Sequence, residues 1–329
     1  MAPARRVATV LLVAGLAVPL ASCAPTAAHS DRLRIATTVA PITSIVSSVV
    51  GTAADVRGVI PEGADSHTFD PPPSAAATLA RADLVFVNGL KLEDPTRELA
   101  QANLRKGASV VELGTRTLPP DQYVYDFSFP RSAGKPNPHV WTDPPSAKDY
   151  ARIVRDTVTA RDPANAATYA ANYERFAAKV DELDAGLRAA TGTVPKPELL
   201  TYHDAYAYFA RRYGWKVIGA IQVSSFEDPT PREVAALVNQ IRQEKVPAIF
   251  GSEVFPSKVL AQIGRETGVR YVDQLRDDDL PGHPGQPEHS WLGLMRFDFV
   301  TMVRNLGGDP SALEAVTLDP SPDRATYPQ

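Results

Sequence analysis

The chain holds only six histidines: His29, His67, His139, His203, His283 and His289. Neutral imidazole is a good ligand for zinc, copper, nickel and iron, and one carboxylate beside it balances charge. His67 lies in Pro61-Glu-Gly-Ala-Asp-Ser-His67, just after a strand-like run. His139 lies in Asn137-Pro-His-Val-Trp141, ahead of a helical stretch. His203 directly follows the apolar run that ends at Tyr202. Ligands of open α/β sheets bind beyond the carboxyl ends of strands. His67 and His203 satisfy that rule in different halves of the chain, and Asp273 satisfies it at the end of Val269–Asp273. Asp277, Asp278 and Asp279 stand close enough in sequence to compete for the role of Asp273. Three imidazoles and one carboxylate would make a closed four-coordinate shell, which suits binding; a catalytic zinc keeps a position for water. The chain has no His-Glu-x-x-His stretch, which argues against a zinc hydrolase.

The remaining candidates have plainer readings. His283 and His289 fall in a Gly/Pro loop and are expected to be solvated, and His29 lies near the N-terminus in a polar stretch. Asp70, Asp143 and Glu253 are expected to cap helices or to orient imidazoles.

The elements that would position these residues alternate between strand and helix. Leu33–Val39, Val56–Ile60, Asp83–Asn88 and Ser109–Leu113 read as strands, and Asp83–Asn88 is apolar enough to be buried on both faces. Helices are expected after Pro41 and over Ser74–Ala82. A Pro-rich loop runs from Leu118 to Pro145. Asp162 reads as an N-cap with Pro163 at the first helical position, and the stripe Tyr169, Tyr173, Phe176, Val180, Leu183 and Leu187 predicts a long helix beyond it. Strands follow over Glu198–Tyr202, Lys216–Ala220, Ala248–Gly251 and Val269–Asp273, with a capping box at Thr230-Pro-Arg-Glu233. The pattern predicts an α/β fold of two Rossmann-like lobes with parallel sheets, residues 32–161 and 193–318, joined by a rigid backbone helix over 162–192. Residues 319–329 are Pro-rich and polar and are expected to be disordered.

The ends and the composition set the compartment. Arg5 and Arg6 precede an apolar run, Val7–Leu20, too short to span a bilayer as a mature helix. Leu20-Ala21-Ser22-Cys23 resembles a bacterial lipobox, and Cys23 is the only cysteine of the chain. Residues 1–22 are therefore expected to be a signal peptide, and 23–31 a tether lipidated at Cys23, leaving the rest outside the cytoplasm at the membrane. The formal net charge is −4, and cleavage would remove two arginines, so nucleic acid is not an expected partner.

Several stretches in order resemble the metal-specific solute-binding proteins of ABC importers, the zinc- and manganese-binding cluster. They are Pro61–His67 with Pro73-Ser74, Asp83–Leu90, Pro138–Trp141, His203–Tyr206 with Tyr208-Phe209, Asp228–Pro231, and Ala248–Phe250 with Glu253. The resemblance runs from about Arg34 to Leu306. It implies a metal held between the lobes by His67, His139, His203 and Asp273, and a monomer that delivers it to a permease with its ATPase, not an enzyme. Zinc-specific members often carry a His-rich loop that the short stretch Asp121–Pro136 lacks. Manganese binders often place a glutamate where this chain has His203, and nitrogen donors favour zinc, with manganese as the alternative.

Overall fold

Two all-parallel sheets with the same internal order carry the structure. The computed structural model describes residues 32–221, 230–252, 258–318 and 322–328. The first sheet contains β1 (Leu33–Thr37), β2 (Ala54–Gly58), β3 (Leu84–Val87) and β4 (Ser109–Glu112) in the order β4-β3-β1-β2. Helix α1 (Ala40–Val50) follows β1, α2 (Pro73–Arg81) and α3 (Asp94–Asn103) flank β3, and the short α4 (Leu113–Thr117) follows β4. The second sheet contains β5 (Glu198–Thr201), β6 (Lys216–Ala220), β7 (Ala248–Ser252) and β8 (Arg270–Leu275) in the order β6-β5-β7-β8. Numbered within its own lobe, each sheet reads 2-1-3-4, a doubly wound order whose crevice opens where the first and third strands part. All four residues of β3 are buried, as its unbroken apolar run requires.

Between the sheets run α5 (Pro144–Arg161) and α6 (Ala166–Thr191). The expected stripe is real: Tyr169, Phe176, Val180, Leu183 and Leu187 are buried. They pack toward α1 and α5 on one side, and toward α10 (Trp291–Asn305) and α11 (Ser311–Glu314) on the other. The helix starts later than its sequence cap implied. A 3₁₀ turn spans Pro163–Asn165, and the Asp162 carboxylate accepts from Asn165 Nδ2 and Tyr169 Oη, both at 2.7 Å, leaving the helix backbone uncapped by it. In the second lobe α7 (Ala207–Tyr213), α8 (Pro231–Glu244) and α9 (Lys258–Thr267) complete the layers. The capping box at Thr230 and Glu233 forms in full, and Gly268 (φ 72°) ends α9 in the left-handed conformation that favours glycine.

One apolar core crosses both lobes. Trp141 and Trp291 sit at its centre without exposure; Trp291 Nε1 donates to the Trp141 carbonyl at 3.0 Å, and Trp291 N donates to Ser44 Oγ at 2.7 Å. A shared core resists wide hinge opening, because each lobe would have to expose apolar surface to part.

The C-terminal residues correct an expectation. Residues 322–328 are ordered against the first lobe, and β9 (Ala325–Thr326) pairs in parallel with β2. The edge of β2 presents unpaired backbone groups that the tail satisfies. Arg324 pairs with Asp55 at 2.5 Å, and the Pro328 carbonyl accepts from Glu62 N at 3.0 Å. The tail thereby straps the loop that carries His67. Ending the chain at residue 321 is expected to cost about 2–3 kcal/mol, from two or three net hydrogen bonds, read as a lower urea midpoint with an unchanged slope. Residues 1–31, with the signal-peptide, Cys23 and His29 readings, and residues 319–321 and 329 lie outside the described residues.

Candidate metal centre

Each lobe sends two donors into the crevice. His67 comes from the loop after β2, where Asp65 Oδ1 accepts from its backbone N–H at 2.9 Å and shapes the turn. The residue is half-buried, and its ring leans on Phe129 with ring centres 5.6 Å apart. His139 is fully buried just before α5. Asn137 Oδ1 accepts from both the backbone N–H of His139 (3.0 Å) and its Nδ1 (2.8 Å), so Nδ1 carries the proton and the Nε2 lone pair faces the crevice. Asn137 is itself held, donating from Nδ2 to Asp126 Oδ2 and to the Asp204 carbonyl. His203 is buried at the end of β5, as the strand-end rule predicts.

The carboxylate that gathers with the three imidazoles is Asp278, not the expected Asp273. β8 runs two residues further than the sequence implied, to Leu275, and Asp273 lies exposed within it, beside the equally exposed Gln274. The carboxyl end of the strand therefore falls beyond Asp273. Asp277 sits at φ 44°, and this left-handed residue redirects the chain so that Asp278 is buried in the crevice. The run Asp277–Asp279, flanked by the buried Leu275 and Leu280, was the available signal; it identified the segment but not the residue.

The three Nε2 atoms stand 2.8 Å (His139–His203), 3.2 Å (His67–His139) and 3.3 Å (His67–His203) apart. Asp278 Oδ1 is 3.8 Å from His139 Nε2, and all four donor atoms lie within 4.8 Å of one another. Nitrogens held about 2.0–2.1 Å from a tetrahedral ion are about 3.3 Å apart, so the spacing suits a single ion. Asp278 Oδ2 accepts from Ser66 Oγ at 2.5 Å, whereas the buried Oδ1 accepts no hydrogen bond. A buried carboxylate oxygen with no donor is costly unless a cation meets it.

Electrostatics point the same way. Burial lowers the pKa of His67 and of His139 well below the ordinary value, and the neighbouring His203 adds to both shifts. Both imidazoles are thus kept neutral, the form that ligates. Burial pushes Asp278 up to about 6, against the opposing pull of His203. Behind it, Tyr206 Oη lies 2.8 Å from both Asp277 Oδ1 and Asp298 Oδ2, and burial with the Asp277 charge pushes Asp298 up to about 8. One phenol proton cannot serve two carboxylates, so a protonated Asp298 completes the set and steadies the turn that carries Asp278.

The other candidates separate. His283 is exposed, as expected. His289 is not solvated: it is buried edge-on to Tyr327, with ring centres 4.6 Å apart, and lies 3.3 Å from Glu62 Oε1. Asp70 is exposed. Asp143 precedes α5 but gives its carboxylate to Ser146 Oγ and to Arg212. Glu253 lies outside the described residues. Replacing Asn137 with alanine is expected to weaken metal binding about 10–100-fold, because His139 loses the partner that sets its tautomer; competition against a chelating dye measures it.

The profile of the family described as zinc-uptake complex component A, periplasmic (ZnuA), matches residues 35–305. The chain belongs to this family. Its members are metal-binding solute-binding proteins of ABC import outside the cytoplasm, and the chain is such a component. It is 28% identical over 280 residues to the iron-binding protein YfeA of Yersinia pestis, covering 84% of this chain and 88% of that one. It is 24% identical to the manganese-binding lipoprotein MntA of Halalkalibacterium halodurans, covering 85% and 91%. Among solved structures, the periplasmic zinc binding protein TroA of Treponema pallidum superposes with a TM-score of 0.75 at 26% identity, over 84% of this chain and 99% of that one. The two-lobed architecture read from the sequence is that of this family.

Proposed function

We propose that His67, His139, His203 and Asp278 capture a divalent transition-metal cargo, zinc in the first place, and that the chain hands it to a membrane permease driven by an ATPase. The observation that carries this reading is the buried Asp278 oxygen without a hydrogen bond, facing three imidazole nitrogens at ligand spacing. Three nitrogen donors favour zinc over manganese, which prefers oxygen, and manganese is the alternative cargo. The relatives named for iron, manganese and zinc bracket this choice. Four protein donors leave no position for an activated water, which favours a binding protein over a zinc hydrolase. Cys23 is the lipid-attachment point, so the chain works as a membrane-anchored monomer outside the cytoplasm; the relative MntA is named a lipoprotein.

Capture proceeds by exchange of water for pre-arranged donors. Asn137 and Ser66 hold His139 and Asp278 before the ion arrives, so little ordering remains to be done on binding. Release requires the permease to move one pair of donors away from the other. Titration calorimetry with Zn²⁺ and Mn²⁺ is expected to find one saturable site that prefers zinc by on the order of tenfold or more. Absence of saturable binding, or binding untouched by His67→Ala and His203→Ala, would defeat the proposal; a manganese preference would select the alternative.

A further inference from the structure

The base of the first lobe, at the pole opposite the metal centre, is strongly basic although the chain as a whole carries a formal charge of −4. Asp83, just before β3, is the focus. Arg34 Nε lies 3.5 Å and Arg161 Nη2 3.9 Å from its carboxylate, and Arg105 pairs with it directly. The Asp83 side chain is 8% exposed, while the three arginine side chains are 42–47% exposed. One sunken carboxylate thus serves three guanidinium groups that remain in contact with solvent.

The patch continues into a groove. Helices α2 and α3 cover the sheet over β3, but the same face over β1, β2 and β9 carries a cavity of about 600 Å³. Its charged lining is Arg34, Arg57, Arg81 and Arg324 against Asp55 and Asp323, and Arg324 is already paired with Asp55. A sheet face that a doubly wound fold would ordinarily cover with apolar contacts is here lined with guanidinium groups. Arg81 and Arg161 also stand in the last turns of α2 and α5, where they offset the helix dipoles. That role does not account for Arg34, Arg57 or Arg105.

We propose that this arginine-lined groove docks anionic phospholipid headgroups, resting the base of the first lobe on the membrane and turning the metal centre outward. Planar guanidinium forks match phosphate oxygens, and several together supply the attraction of a polybasic surface. The occupant follows from the chain's own geometry. Residues 24–32, between Cys23 and the start of β1, span at most about 32 Å when extended, which keeps Arg34 within reach of the bilayer. This last step rests on the reading of Cys23 as lipidated. The docked posture leaves the crevice open to the outside for capture, and delivery to the permease requires the base to lift.

The test uses the full lipidated chain in nanodiscs of phosphatidylcholine alone or mixed with phosphatidylglycerol, read by hydrogen exchange. Exchange over residues 33–36 and 104–108 is expected to slow several-fold only in the phosphatidylglycerol discs. The effect should vanish in about 0.5 M salt, where screening is short-ranged, and in Arg105→Glu/Arg161→Glu. Metal-induced thermal stabilisation should be unchanged in that variant; if it does not fold, Arg57→Glu takes its place. Equal exchange in the two discs, protection that survives the charge reversal, or the same protection from inorganic phosphate alone would overturn the proposal. Failure of the chain to enter phosphatidylcholine discs would instead remove the anchor reading, and absence of flotation with phosphatidylglycerol vesicles would then overturn the groove as well.

Discussion

Asp278→Ala is expected to weaken zinc binding on the order of a hundred- to a thousandfold, whereas Asp273→Ala leaves it unchanged. Four-ligand zinc sites bind with about 10–16 kcal/mol of apparent free energy. An even share per donor is about 2.5–4 kcal/mol, and every 1.4 kcal/mol is tenfold in affinity. Asp278 supplies the only carboxylate of the group, so its loss also removes the charge that partly neutralises the ion. Asp273 faces solvent on β8 and has no line to the crevice. Chelator competition on the two variants decides between them. A large loss in Asp273→Ala with none in Asp278→Ala would show that the turn after β8 is not as described.

The second large effect is set by protons. At pH 7.5 zinc is expected to bind with almost no proton release, because burial keeps His67 and His139 neutral and Asp278, at about 6, is already ionised. Below pH 6 the ion must first displace a proton from Asp278. A raised carboxyl pKa favours the protonated form of the empty protein, so this competition begins near pH 6 and not near the ordinary value of 3.8. Affinity then falls about tenfold per pH unit, about 1.4 kcal/mol. It falls more steeply once His67 and His139 take up protons at still lower pH. Calorimetry in two buffers of different ionisation enthalpy counts the protons: near zero at pH 7.5 and approaching one at pH 5.5. Release of two or more protons at pH 7.5 would mean that His67 or His139 is charged in the empty centre, against the burial argument.

Much of the fold was legible because its signals are local. β3 is apolar throughout, Thr230 and Glu233 cap each other three residues apart, and the α6 stripe repeats at helical spacing. Where the reading failed, a partner outside the local pattern had overridden it. The polar tail became a strand because the edge of β2 lay open beside it. His289 looked like a loop histidine until Tyr327, 38 positions later, covered it. The Asp162 cap gave way to a side-chain partner one turn into the helix, Tyr169.

The sequence by itself singled out the three histidines that gather in the crevice, since imidazoles are scarce and two of them sit at strand ends where a doubly wound sheet opens. It offered Asp273 as the carboxylate beside them, with Asp277, Asp278 and Asp279 as competitors. Which carboxylate was a tertiary matter. The extension of β8 past Asp273 and the left-handed turn at Asp277 brought Asp278 to the crevice, and neither can be read from composition. The tautomer of His139, set by Asn137, and the raised pKa of Asp278, set by burial, likewise exist only once the lobes have closed around them. Periodicity is written along the chain, but the direction of a side chain at the end of a strand depends on what packs against it.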